Sequence, residues 1–332
     1  MKLIIPMAGW GKRLRPQSSI TPKPLIAVAG TCMVERIVEG FQDVLPRPIT
    51  DGVFVLAPGF RARVHRQLQD ICERQGIRCH FVVQEEALGT AHAVKVTDDH
   101  LQGEGLVVYA DTVFRMDSQL NPGDADVVAW VKEVDDPSRF GVAVRHGERI
   151  VAFVEKPQEL ISKEALIGIY WVRDLTILRE AIDHLFTQGI RGASGEYYLT
   201  DAFDRMLKDG RLFKTASVTE WLDCGTLDAL METTRRLLMT ERRSPAAGAV
   251  DNAVVIEPVF IAPGAKIRNS VVGPFVSVEK DARVISSVVR DSIVFEGALV
   301  EGAVLANSIV GAHSTVKPSV SALNVGDHTS VR

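Results

Sequence analysis

Met1-Lys-Leu-Ile-Ile-Pro-Met-Ala-Gly-Trp-Gly-Lys-Arg-Leu-Arg-Pro16 opens the chain. The apolar run Leu3–Ile5 reads as a strand, and it feeds at once into a loop holding two glycines and three cations, Lys12, Arg13 and Arg15. Gly9 and Gly11 let a backbone approach phosphate oxygens closely, and N–H groups exposed from Ala8 to Lys12 can cradle them. That charge density suits a triphosphate better than a dinucleotide. Leu14 stands where the dinucleotide fingerprint needs its third glycine, and no Gly-Lys-Ser/Thr follows, so a Walker A loop is also excluded.

Working outward, further strand candidates are Val53–Ala57, His80–Gln84, Leu106–Ala110, Val127–Val131 and Ile150–Glu155. Several are continuous apolar runs, which fits a sheet covered on both faces. Between the first two strands, Val34, Ile37, Val38, Phe41 and Leu45 follow helical spacing. Alternating strands and helices predict an α/β sheet with right-handed crossovers, its ligand loops at the carboxyl ends of the strands.

Beyond a helical stretch, Thr226–Arg243, and a Pro/Ala/Gly-containing linker at 244–250, the texture changes. Residues 251–332 carry 18 Val and 6 Ile without a Trp or Tyr, so the pattern is no longer that of a mixed sheet. Gly264-Ala-Lys-Ile267, Asp281-Ala-Arg-Val284, Gly297-Ala-Leu-Val300 and His313-Ser-Thr-Val316 repeat one phrase, their last residues 17, 16 and 16 positions apart. Asn269-Ser-Val-Val-Gly273, Asp291-Ser-Ile-Val294 and Asn307-Ser-Ile-Val-Gly311 repeat another. Three sides of about six residues make one coil of a hexapeptide β-helix, which this period fits, and stacking buries what one coil cannot. A β-sandwich is the alternative, but its strands need not repeat a phrase. The expected domains are therefore 1–243, a linker, and 251–332.

The 332 residues carry 38 Lys and Arg against 42 Asp and Glu, a net charge of −4, which argues against a dedicated nucleic-acid binder. Cys32, Cys72, Cys79 and Cys224 form no CxxC pair, so neither zinc nor a disulfide framework is indicated, and a cytoplasmic location is expected. The N-terminal apolar run is too short for a signal-peptide core, and no stretch approaches the roughly 18 apolar residues that span a bilayer.

After the phosphate loop, Pro22-Lys23-Pro-Leu25 fixes the backbone around one lysine, which a solvated surface lysine would not need. Gly9-x-Gly11-x-Arg13-Leu-Arg-Pro followed by this segment resembles the signature of the sugar-phosphate nucleotidyltransferases, or NDP-sugar pyrophosphorylases. Similar to that family, in order, are Gln84-Glu-Glu-Ala-Leu-Gly-Thr-Ala91, Val107-Val-Tyr-Ala-Asp111 and Ser138-Arg-Phe-Gly-Val142. Glu155-Lys-Pro157, Ile167-Gly-Ile-Tyr170, Gly195-Glu196 with Thr200-Asp201, and Trp221-Leu-Asp-Cys-Gly225 follow. The resemblance spans residues 1–240. It implies a Rossmann-like mixed α/β sheet, with the C-terminal part a left-handed parallel β-helix.

It also implies a reaction: a nucleoside triphosphate and a sugar 1-phosphate give an NDP-sugar and pyrophosphate. By resemblance, Arg13 holds the departing pyrophosphate over Ala8, Gly9, Gly11 and Lys12, and Lys23 stabilises charge at the α-phosphate. Asp111 and Asp223 hold Mg²⁺; Gln84, Gly89 and Thr90 take the base. Lys156 takes the sugar phosphate, while Thr112, Gly141, Glu155, Gly168 and Tyr170 face the sugar. Asp223 alone also reads as the cap of the helix near Thr226. Gln84 and the Leu88-Gly-Thr-Ala91 segment favour a pyrimidine, leaving dTTP and UTP open, since one methyl is typically worth about 1–3 kcal/mol. The family often has Asn where Thr112 stands, which leaves the sugar open. The eight histidines receive no role; His92 reads as a packing residue.

A short β-helix of four or five coils is expected to mediate homo-oligomer contacts; acyl transfer there is the alternative, with His313 and His328 its only bases. Asn324-Val-Gly-Asp327-His resembles the ending of the family's long-form thymidylyltransferases, a slight preference for dTTP and glucose 1-phosphate. A non-catalytic sugar-nucleotide-binding subunit is the competing reading, against which the intact cationic and carboxylate positions stand.

Overall fold

The computed structural model describes residues 1–9, 11–42, 44–192, 194–241 and 248–318. Contacts divide the chain into one unit of Met1–Ile26 and Thr31–Leu230 and a second of Ala27–Gly30 and Met231–Arg332. Most of the expected linker, 244–247, and the terminal Asn324–His328 segment lie outside the described residues.

The first unit is built on β1 (Lys2–Pro6), α1 (Met33–Gly40), β2 (Asp51–Leu56), α2 (Ala62–Arg74), β3 (Arg78–Val83), α3 (Thr90–Lys95) and β4 (Gly105–Val108). There follow β5 (Thr112–Arg115), β6 (Val127–Glu133), β7 (Gly141–His146), β8 (Arg149–Glu155), β9 (Glu164–Val172), α4 (Leu175–Gln188), α5 (Leu199–Lys208), β10 (Phe213–Ser217) and β11 (Glu220–Asp223). Nine strands form one sheet in the order β3-β2-β1-β4-β9-β6-β10-β8-β7. The β3-β2-β1-β4 half is parallel, while β9 runs antiparallel to both its neighbours, which makes the sheet mixed.

Alternation along the strands explains the cover on both faces. Leu3, Ile5, Phe54, Leu56, Leu106 and Val108 enter one apolar cluster with α1 and α2; Ile4, Val53 and Val107 enter the other with α4 and α5. β7, β9 and β10 were not among the strand candidates: β7 ends in Arg145 and His146, Gly168 interrupts the apolar run of β9, and β10 mixes Lys214, Thr215 and Ser217 with its apolar residues. A separate ladder, β5 with β11, sets Asp223 opposite Thr112 and Trp221 opposite Phe114.

The second unit contains three parallel sheets of 5, 4 and 4 strands, each strand two or three residues long, the form of a parallel β-helix. Ile267, Val284, Val300 and Val316 stack in one column, as the first repeated phrase requires. The second phrase behaves differently. Val271 and Val272 of its first copy pair with Val288 and Val289, whereas Ile293 and Val294 of the second pair with Ile309 and Val310. The phrase marks a corner rather than a side. Asn269, Asp291 and Asn307 each take a positive φ, 49°, 45° and 48°, which Asn and Asp tolerate best among residues with a side chain. The serine after each returns its hydroxyl to the carbonyl two residues earlier. His313, at φ 57°, occupies another such corner.

Buried serines also join coils. Ser287 Oγ donates to the Ile285 carbonyl at 2.7 Å and accepts from Ala303 N at 3.1 Å. Ser287→Ala should therefore destabilise the β-helix by about 1–3 kcal/mol, because the Ala303 N–H loses its partner, while the Ile285 carbonyl keeps Gly302 N at 3.0 Å. Chemical unfolding followed by far-UV circular dichroism tests this; a midpoint equal to that of the unchanged chain would refute it.

Candidate active site

A cleft of about 310 Å³ opens in the first unit. Of the residues singled out by sequence, Arg13, Thr90, Asp111, Gly141, Glu155, Lys156, Gly168, Tyr170 and Asp223 line it. These positions span more than 200 residues of chain and meet through the sheet. Arg13 comes from the loop after β1, Asp111 from the end of β4, and Glu155 from the end of β8.

Ala8, Gly9, Gly11, Lys12, Lys23, Gln84 and Gly89 do not line this cleft, and the side chain of Thr112 lies outside the described residues. Two of them are tied to it nonetheless. Lys23 is only 8 % exposed, and its Nζ lies 3.5 Å from Asp111 Oδ2. Burying a lysine costs several kcal/mol unless a carboxylate compensates, which this pairing does. Gly11, with φ 58°, lies so close that a Cβ there would meet Lys23 Cβ at 2.8 Å. The phosphate loop thus packs directly on the lysine. Thr112 lies beside Asp111 at the start of β5.

Asp223 Oδ1 accepts from Gly225 N at 2.8 Å, and Cys224 N donates to the Asp111 carbonyl at 3.4 Å, so the two aspartates sit at one junction. The helix Leu227–Thr240, α6, is capped instead by Thr226, whose Oγ1 accepts from Ala229 N at 3.2 Å. Asp223 is therefore not needed as the cap. Among the described residues no group of three or more His, Cys, Asp or Glu clusters as a ready-made metal cage. Two hard carboxylates suit Mg²⁺, which usually keeps waters and takes substrate phosphates to complete its octahedron.

Glu155, Lys156 and Thr200 bring a carboxylate, an ammonium and a hydroxyl to the same cleft. The chain turns sharply after Glu155, Lys156 taking φ 45° ahead of a proline, a strain worth about 1–3 kcal/mol. Lys156 N–H holds the turn by donating to the Phe140 carbonyl at 3.1 Å. Lys156 Nζ lies 3.8 Å from Glu155 Oε1 and 5.8 Å from the centre of the Tyr198 ring. Burial pushes the Glu155 pKa up; the Lys156 charge and the Thr200 hydroxyl, 3.5 Å away, oppose that rise. Burial likewise raises the Tyr109 and Tyr170 phenols, which stay neutral and able to donate.

Tyr109, Arg139, Phe140, Glu196, Thr200 and Trp221 fall in the family-like segments without an individual role, and Tyr198 falls in none of them; all line the cleft. Trp221 Nε1 is buried and without a partner among the described residues. Its signal was available: Trp221 and Asp223 alternate along one strand and so share a face.

Gln84 is buried at the end of β3, its Nε2 donating toward the Gly89 carbonyl at 3.4 Å and to His92 Nδ1 at 3.1 Å. Thr90 Oγ1 accepts from Leu199 N at 3.0 Å, fixing the start of α3.

Comparison with known proteins follows from this architecture. A family model described as nucleotidyl transferase matches residues 2–240. A glucose-1-phosphate thymidylyltransferase of Streptomyces griseus is 27% identical over 360 residues, covering 99% of this chain and 98% of the relative. A solved UDP-glucose pyrophosphorylase complexed with UDP-glucose shares the fold with a TM-score of 0.58 at 19% identity, over 72% of this chain and 99% of its own. A putative glucose-1-phosphate thymidylyltransferase from Bacillus anthracis does so with a TM-score of 0.58 at 24% identity, over 74% and 98%. The model match over the whole cleft-bearing unit decides the matter: the chain belongs to the nucleotidyl transferase family.

Proposed function

We propose that the chain transfers a nucleotidyl group from dTTP or UTP to a hexose 1-phosphate, glucose 1-phosphate being favoured, and releases pyrophosphate. The observation that carries this reading is the convergence of Arg13, Asp111, Glu155, Lys156 and Asp223 on one cleft, with Lys23 buried against Asp111.

In this reading an oxygen of the sugar phosphate attacks the α-phosphorus in line. A new P–O bond forms, the bond to the β-phosphate oxygen breaks, and pyrophosphate leaves with its electrons. The chain mainly positions two polyanions and offsets their repulsion. Arg13 grips the departing pyrophosphate with its planar fork. Lys23, already desolvated, meets charge developing at the α-phosphate, where a water-excluded cation is worth most. Lys156 binds the sugar phosphate, and Glu155 accepts hydrogen bonds from two sugar hydroxyls. Asp111 and Asp223 would hold Mg²⁺, which when bound supplies charge neutralisation across both substrates' phosphates.

Residues 1–243 would form the catalytic domain and 251–332 a β-helix domain serving contacts in a cytoplasmic homo-oligomer. No helix among the described residues is long and apolar enough to cross a membrane. A matrix of nucleoside triphosphates against sugar 1-phosphates with Mg²⁺, read as pyrophosphate release, tests the activity. Highest turnover is expected with dTTP or UTP and glucose 1-phosphate; release from no combination would remove the reading.

Glu155 gives a pH signature. Its carboxylate must be ionised to accept two hydroxyls, and its pKa lies above the ordinary carboxylate value of about 4.3. The KM for the sugar phosphate should therefore begin to rise, as pH falls, at a higher pH than an ordinary carboxylate would give. Glu155→Gln should remove that component, leaving only the phosphate's own titration. Identical KM profiles for both chains would exclude the role.

A further inference from the structure

His92 Nδ1 and the Gly89 carbonyl both face Gln84 Nε2, at 3.1 and 3.4 Å. A carbonyl oxygen only accepts, so the amide nitrogen must face Gly89, and the ring nitrogen beside it must be the unprotonated one. Among the described residues Gln84 Oε1 has no hydrogen-bond partner. We propose that His92 is a positioning residue: as an acceptor it pins the Gln84 amide with its oxygen turned to the nucleobase, so that the site takes bases bearing a ring N–H and rejects those with a bare ring nitrogen there. Uracil and thymine carry that N–H; cytosine and adenine do not. This rests on the nucleotidyl-transfer reading only in taking Gln84 as the base-facing residue.

The surroundings keep His92 in the accepting form. Burial holds its pKa below the ordinary histidine value, against the Glu86 backbone carbonyl and carboxylate, which favour the charged ring. Lys95, one turn on, disfavours it and is paired with Asp183 of α4. Phe186 of α4 covers the ring at 5.8 Å between centres, and Tyr197 stacks on Phe186. Protonation would turn Nδ1 into a donor facing the donor Nε2, while the Gly89 carbonyl still calls for that nitrogen, so the amide loses its fixed orientation and the preference weakens.

The test measures equilibrium binding of UTP, dTTP and CTP together with turnover, in the full chain and in two variants. His92→Leu keeps bulk and removes the acceptor; the preference for UTP or dTTP over CTP should fall by about 10–100-fold. His92→Asn places an oxygen near the position of Nδ1 and should restore the preference to within about threefold. In the unchanged chain the preference should shrink as the pH is lowered past the ordinary histidine range, and in His92→Asn it should not. A purely packing role would move stability and leave these ratios alone. A folded His92→Leu with an unaltered ratio overturns the proposal. If that variant does not fold, a pH-independent ratio in the unchanged chain overturns it. Binding preference without pyrophosphate release would instead overturn the transfer reading and leave this assignment standing.

Discussion

Asp111→Asn should lower turnover by about 10²–10⁴-fold while the chain stays folded. The substitution keeps size and removes the charge that faces Lys23 at 3.5 Å and that is proposed, with Asp223, to hold the metal ion. Phosphate charge stabilisation by a bound cation is worth several kcal/mol, and each 1.36 kcal/mol is tenfold in rate. Asp223→Asn should fall into the same range. Because both carboxylates would serve one ion, the double variant should be little worse than either single one. Pyrophosphate release at saturating substrates and Mg²⁺ measures this. A loss of less than about tenfold in either single variant would show that the aspartate does not hold the ion.

Gly89→Ala should destabilise the first unit by about 3–5 kcal/mol. Gly89 has φ 111°, and a Cβ there would meet Tyr197 O at 2.5 Å and Tyr197 N at 2.8 Å. Those are backbone atoms held by paired bonds: Tyr197 N donates to the Leu88 carbonyl at 2.8 Å and Ala91 N to the Tyr197 carbonyl at 2.9 Å. They cannot step aside as a side-chain end could, so overpacking adds to the conformational strain. For a unit of this size the melting temperature should drop by roughly 8–15 °C. Gly59→Ala is the control, with φ 79° but nothing within 4 Å of its Cβ. It should cost only the conformational part, about 1–2 kcal/mol. Equal shifts in a thermal scan would show that the approach to Tyr197 carries no cost.

Much of the site was readable because its parts follow strands. Ligands of parallel α/β sheets bind at the carboxyl ends of the strands, which pointed to the loops after β1 and β4, and the family resemblance then picked Arg13 and Asp111 within them. Glu155 and Lys156 followed from the family resemblance instead, since β8 runs opposite to β1 and β4 in the sheet. Lys23 was visible from its flanking prolines, although its burial was not. The helix-cap reading of Asp223 was undone by a neighbour, Thr226, whose hydroxyl takes the capping bond. Trp221 and Tyr109 escaped individual notice because an aromatic in an apolar run looks like core until its partners are known. His92 read as packing, which its contact with Phe186 supports, but a single side chain also holds Gln84.

By itself the sequence determined the two architectures and the order of the chemistry-bearing loops. The architectures depend on local periodicity, alternation in the strands and a 16- or 17-residue return that stacks Ile267 on Val284 and Val300, and the loop order on the family-like segments. Tertiary structure decided which side of a coil each repeated corner opens, which strands run antiparallel, and which groups meet across the cleft. These are matters of pairing between residues far apart in the chain. The Lys23–Asp111 pair, the Thr200–Glu155 contact and the approach of Gly89 to Tyr197 are set by how the sheet closes, and no local pattern encodes that closure.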